Sequence, residues 1–142
     1  MQACNTAVSP NSTALARGAA VSGFVGGSVL VCGGKDTDGL VRDDCVEYQP
    51  EENSWREHSS MTEPREEAAG VVLGSVMFVM GGFVGGEITL STEFWNSNED
   101  SPSWVTAPSL PEVRARFCAA ARDVDGRNDR YFAVIGGRGS FC

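Results

Sequence analysis

The sequence predicts an all-β protein assembled from a repeated antiparallel unit, and three observations predict it. A short apolar run closed by a glycine doublet occurs three times, at residues 29–34 (VLVCGG), 76–82 (VMFVMGG) and 131–137 (YFAVIGG). The first glycines of the doublets lie 48 and then 55 residues apart, a period that belongs to stacked supersecondary units. Seventeen glycines and six prolines in 142 residues suit a chain rich in turns.

The first unit begins at Arg17. Residues 18–24 are small and apolar, and Gly26, Gly27 and Ser28 turn the chain. Residues 29–32 are four apolar side chains without alternation, which predicts a strand covered on both faces. Gly33 and Gly34 end that strand, and residues 35–44 form a charged loop. Residues 45–48 (CVEY) alternate as a half-buried strand does; a polar turn follows, and Trp55 opens a last strand before Met61. The second unit repeats this order through Arg65, Gly81, Gly82, a glycine-rich loop at 83–91, the strand at 92–95 and Trp104. The third runs from Arg116 to Gly136 and Gly137, with residues 123–130 lengthening its first turn. Arg17 to Gly33 and Arg65 to Gly81 are both 16 residues, so spacing is held within units and lost in polar turns, where insertions cost little.

Residues 1–16 are small and polar and are expected to be a tail or the remnant of a preceding unit. Their Asn11-Ser12-Thr13 triplet fits a glycosylation acceptor, which matters only in a secreted protein. They lack a basic start followed by an apolar core, so no signal peptide is visible. That favours a cytoplasmic protein. No apolar run approaches the roughly 18–20 residues that cross a bilayer. The formal charge is −8, which repels nucleic acid and anionic membrane and argues against either as a general partner.

Catalytic chemistry has little material. His58 is the single histidine and is expected in a solvated turn. Gly34-Lys35 resembles the end of a phosphate-binding loop, but Asp36 replaces the Ser/Thr and Val29 the first glycine. Two acidic groups, Asp36, Asp38, Asp43, Asp44 and Asp123, Asp125, Asp129, lack calcium-loop spacing, so solvated loop charge is expected and no metal or cofactor. Five cysteines form no zinc pattern. Cys32 ends one strand and Cys45 begins its antiparallel neighbour, so the two either form a disulfide or remain buried thiols. The bond would place the chain in an extracellular or luminal compartment. Cys118 has no obvious mate.

This landmark set resembles the kelch repeat: an Arg at the first strand, a glycine doublet after the second, a Glu-aromatic pair in the third and a Trp in the fourth. Here these are Arg17, Gly33, Gly34, Glu47-Tyr48 and Trp55, then Arg65, Gly81, Gly82, Glu93-Phe94 and Trp104, then Arg116, Gly136 and Gly137. The resemblance implies four-stranded antiparallel blades of a β-propeller, divided as blade 1 (17–61), blade 2 (62–110) and an incomplete blade 3 (111–142). In that frame the doublets, Tyr48, Trp55 and Trp104 are structural, and each Trp is expected to cover the seam to the next blade. About two and a half blades fall short of a ring of roughly four to eight. A longer protein is therefore expected, with ring closure by self-association as the alternative.

The resemblance further implies a non-catalytic module that binds a protein partner through loops 35–44, 61–66, 83–91 and 110–116. Arg42, Arg65, Arg114 and Arg116 are the candidate contacts, each able to clamp a carboxylate or to pair within the chain. Two settings follow from the resemblance, a substrate receptor of a ubiquitin ligase and an extracellular recognition domain. An enzyme of galactose-oxidase type is the alternative of a different class.

Overall fold

The computed structural model describes residues 16–122 and 131–139, and all their regular structure is β. Strands β1 (Val21–Val25), β2 (Ser28–Cys32), β3 (Cys45–Gln49) and β4 (Ser54–His58) form one antiparallel sheet in chain order. Strands β5 (Ala69–Leu73), β6 (Val76–Met80), β7 (Thr92–Asn96) and β8 (Val105–Ala107) form a second in the same order. A hairpin of β9 (Cys118–Arg122) and β10 (Tyr131–Ile135) begins a third. The expectations for Asn11-Ser12-Thr13 and for Asp123, Asp125 and Asp129 fall outside the described residues.

The sheets pack face to face along two seams. Val21, Leu30 and Cys32 of the first sheet meet Met77, Val79 and Trp95 of the second. Ala69, Val71 and Met80 on its other face meet Phe117, Ala119 and Val134 of the third unit. Each large side chain so buried contributes about 1.5–3 kcal/mol. Among the described residues only the middle sheet is covered on both faces: Met77, Val79 and Met80 are fully buried. In β2 the expected double coverage does not hold, because Val29 and Val31 face away from the seam and are half-buried. The Ala-rich β9 is a strand although Ala favours helix; pairing with β10 and packing on β5 decide it.

The doublets are tight exits. Gly33 and Gly34 have φ of +65° and +86°, and a Cβ on Gly34 would stand 2.5 Å from the Gly18 carbonyl oxygen. Only glycine fits both the left-handed backbone and that approach.

Two landmarks shift. Arg114, not Arg116, is the third counterpart of Arg17 and Arg65. Arg17 and Arg65 donate from Nη1 to the carbonyls of Gly33 and Gly81, and Arg114 does so to Gly136 at 2.8 Å. Arg116 instead has φ +56°, as do Ala19 and Glu67 at +55°, and so occupies their position. The spacing agrees: Arg114 to Gly136 is 22 residues, six more than in the other units, and residues 123–130 replace a two-residue turn. The Glu-aromatic pairs are also one residue out of register. Glu93 opposes Val79, two before its doublet, whereas Glu47 opposes Leu30, three before. Glu93 therefore matches Val46.

Trp104 covers a seam in the reverse sense to that expected. Trp104 is buried, and its indole N–H donates 3.0 Å to the Ser59 carbonyl of the preceding blade. Trp55, in the first sheet, is half-buried against Tyr48, ring centroids 5.2 Å apart.

Candidate functional site

Strand direction sorts the loops. Cys32, Cys45 and His58 lie at one end of the first sheet, and Ala69 and Met80 at the matching end of the second. Loops 35–44, 61–66, 83–91 and 110–116 therefore leave from a common end. The two-residue turns at 26–27 and 74–75 and the turn at 50–53 lie at the other.

Backbone hydrogen bonds brace these loops to one another. The Met61 N–H donates to Asp43 at 2.9 Å and the Arg65 N–H to Arg42 at 3.1 Å. Gly34 donates to Arg65 at 2.8 Å, Gly82 to Arg114 at 2.7 Å, and Leu110 to Leu90 at 2.8 Å. The loops also carry structure of their own: Lys35–Asp36 pairs with Arg17–Gly18, and Phe83–Val84 with Glu87–Ile88 around Gly85 and Gly86. These bonds give a continuous surface in place of separate mobile tips.

The four candidate arginines differ. Arg65 is not at the surface: it is 1% exposed, its guanidinium donating to the carbonyls of Gly81 and Ser91 and to the Glu63 and Glu93 carboxylates. It belongs to the scaffold, because a buried guanidinium charge needs acceptors, and here they meet both Nη1 and Nη2. Arg42 holds Asp44 at 2.8 Å and Asp36 at 3.6 Å. Arg114 pairs with Glu112 at 3.1 Å. Arg116 grips Glu67 of the neighbouring blade with two hydrogen bonds, one of 2.8 Å from Nη2. The structure thus gives every one of the four an internal carboxylate and does not bring them together as one open fork.

Charge on this face is tuned by those pairs. Burial opposes ionisation of Asp44, but hydrogen bonds from Arg17 and Arg42 outweigh it and lower its pKa. The hydrogen bond from Arg116 lowers the pKa of Glu67, and the same bond raises that of Arg116. The bond to Asp44 likewise raises the pKa of Arg42. Lys35 joins Glu66 across the seam at 2.8 Å.

Sequence reasoning missed two groups here. Leu40 and Leu90 are exposed apolar side chains on loops 35–44 and 83–91. The carboxylates Asp44, Glu67 and Glu93 occupy the arginines, and only the Glu-x-Arg spacing shared by Glu63-Pro-Arg65 and Glu112-Val-Arg114 hinted at the true frame.

The other chemical candidates resolve simply. His58 ends β4 and is half-buried, its ring edge-on to Trp95 at 4.7 Å; the expected solvated turn is replaced by a seam contact. Among the described residues no group of three or more His, Cys, Asp and Glu side chains is placed to hold a metal. Cys32 and Cys45 form a disulfide with Cα atoms 4.1 Å apart. They are opposed directly across β2 and β3, beside the Gly33–Asp44 hydrogen bond, the register in which side chains lie closest. Cys118 is a free, exposed thiol.

No family model matches the chain. Kelch-like protein 23 of Mus musculus is 30% identical over 78 residues, which is 54% of this chain and 14% of that protein. The Homo sapiens and Pongo abelii proteins of the same name match with the same figures. The chain thus spans 14% of the length of these curated relatives. The solved structure of YjhT superposes with a TM-score of 0.63 at 14% identity, covering 72% of this chain and 40% of that one. This last likeness concerns the fold alone.

Proposed function

We propose that this chain, a kelch-repeat protein carrying a partial β-propeller, is a protein-interaction module that binds its partner through the braced loop face. The observation that carries the reading is the bracing itself. Loops 35–44, 61–66, 83–91 and 110–116 hydrogen-bond to one another across blade boundaries, so their side chains are held in a fixed array before a partner arrives. Preorganisation of that kind removes much of the ordering penalty of binding. Leu40 and Leu90 supply apolar anchors within a charged surround, the composition expected of an interface centre and rim. Arg42, Arg114 and Arg116 take part as rim charges that exchange an internal carboxylate for the partner's; buried Arg65 does not.

The module is read as non-catalytic. The kelch-like relatives support that reading. Of the two settings the resemblance implies, the Cys32–Cys45 disulfide favours an oxidising compartment over a cytosolic ubiquitin-ligase receptor.

Partner capture with three versions of the chain tests the proposal. A Leu40→Asp, Arg42→Glu version should lose the partners that wild type retains, whereas Glu51→Lys at the opposite end should keep them. Equal retention by all three sinks the loop-face reading.

A further inference from the structure

Loops 35–44 and 83–91 leave matching places in successive blades but are fastened at the base by different chemistry. In each, a guanidinium bridges the two ends. Arg17 donates to the carbonyls of Gly33 and Asp44 at 3.1 and 3.0 Å, and Arg65 to those of Gly81 and Ser91 at 3.1 and 3.2 Å. One step further in, the two blades part. Cys32 opposes Cys45 in the first, and Met80 opposes Thr92 in the second. The residue that follows is Val46 in the first and Glu93 in the second. The buried Arg65–Glu93 ion pair therefore fastens loop 83–91, and the Cys32–Cys45 disulfide fastens loop 35–44. An ion pair is indifferent to a thiol reductant; a disulfide is not.

The bond is coupled to the rest of its loop. It lies beside the Gly33–Asp44 hydrogen bond, and Cys32 and Cys45 share a buried cluster with Met61. The Met61 N–H donates to Asp43 and the Arg65 N–H to Arg42, so the crossing at 61–66 rests on the loop that the disulfide closes. Farther out, the Asp36 N–H donates to the Leu40 carbonyl at 3.0 Å, and the Leu40 N–H to Asp36 Oδ1 at 2.9 Å. Those short-range bonds fix the shape of the tip. Its position over the sheet is set at the base, by the Arg42 N–H on Gly34, by Arg17 and by the covalent bond across 13 residues of separation.

We infer that the Cys32–Cys45 disulfide is a redox latch on loop 35–44, opened by a dithiol reductant, which switches one half of the loop face and leaves loop 83–91 in place. That this loop belongs to a binding face rests on the function proposed above. Both cysteines are 1% exposed, so an attacking thiolate reaches a sulfur when the loop lifts. It displaces one cysteine as a thiolate and forms a mixed disulfide with the other, which the reductant's second thiol then releases. Two thiols replace the S–S bond, two electrons and two protons pass to the protein, and the reductant leaves as a disulfide. Hydrogen bonds and ion pairs alone then join the loop ends, and the loop opens more often.

Amide hydrogen exchange of the full chain without a partner, before and after dithiothreitol, tests this, with the Cys32→Ser, Cys45→Ser version beside wild type. Near-ultraviolet circular dichroism checks that each stays folded. Reduction should speed exchange at Gly33, Asp36, Leu40 and Arg42 by at least about tenfold, a modest share of the effect of closing so short a loop. Gly81, Thr89 and Ser91 should be unchanged. The untreated double variant should exchange as reduced wild type does, and dithiothreitol should not change it further, which sets aside Cys4, Cys118 and Cys142. With no partner present, the outcome is independent of whether the face binds one, which the capture experiment above decides. Unchanged exchange in residues 35–44, equal acceleration at Gly81 and Thr89, a response that persists in the double variant, or a bond that dithiothreitol cannot reduce in the folded chain overturns the inference.

Discussion

Arg65 and Glu93 form a fully buried ion pair, Nη2 to Oε1 at 2.7 Å, with side chains 0% and 2% exposed. The second oxygen of Glu93 accepts the Thr62 N–H at 2.6 Å, and Arg65 Nη1 donates to Gly81 at 3.1 Å. The pair thus ties β7, the glycine exit of β6 and the crossing between blades into one unit.

Breaking such a pair leaves the remaining charge buried. Glu93→Ala should lose about 3–5 kcal/mol of stability by urea denaturation. Glu52→Ala, which removes the exposed partner of Arg56, should lose less than about 1 kcal/mol. Comparable losses at the two sites would contradict the scaffold role assigned to Arg65.

The glycine exits make a second comparison. Gly81 and Gly85 have nearly the same φ, +62° and +59°, but a Cβ on Gly81 would stand 2.5 Å from the Arg114 carbonyl while nothing lies within 4 Å of one on Gly85. Gly85→Ala should lose only backbone strain, about 1–2 kcal/mol. Gly81→Ala should lose at least about 2 kcal/mol more, since the blades must part to admit the methyl. Equal denaturation midpoints would show that the seam tolerates it.

The disulfide closes a short loop, with 13 residues of separation, under the charged face. Cys32→Ser, Cys45→Ser should be less stable by about 2–4 kcal/mol. Under denaturing, non-reducing conditions it should show the same number of reactive thiols as wild type. Two extra thiols in wild type would mean that the bond does not form.

Asp44 gives stability a dependence on pH with a defined sign. Its folded pKa lies below the ordinary value of 3.8. Its contribution is complete above the unfolded pKa and is lost as pH falls through the folded one. Wild type should therefore lose stability progressively below about pH 4, and Asp44→Asn should be less stable at neutral pH with a shallower acid slope. Parallel acid slopes for the two would remove Asp44 from the account.

Strands and glycine exits were legible because their causes are local: an apolar run makes a strand and a doublet ends it. The seams followed from the period. The arginine frame was legible only in part, since Arg114 and Arg116 lie two apart and the doublet from which the count runs is displaced by residues 123–130. The carboxylates that occupy the arginines were not legible. Asp44 lies 27 residues from Arg17, Glu93 28 from Arg65 and Glu67 49 from Arg116, and only folded register brings them together. Of the two readings left open for each arginine, a clamp on a partner's carboxylate or a pair within the chain, the structure shows the second.

The most direct test of the central claim is amide hydrogen exchange of the chain alone and with a captured partner. Binding should slow exchange in residues 35–44 and 83–91, around Leu40 and Leu90, and leave the turns at 26–27, 50–53 and 74–75 unchanged. Protection confined to those turns would contradict a loop-face interaction module.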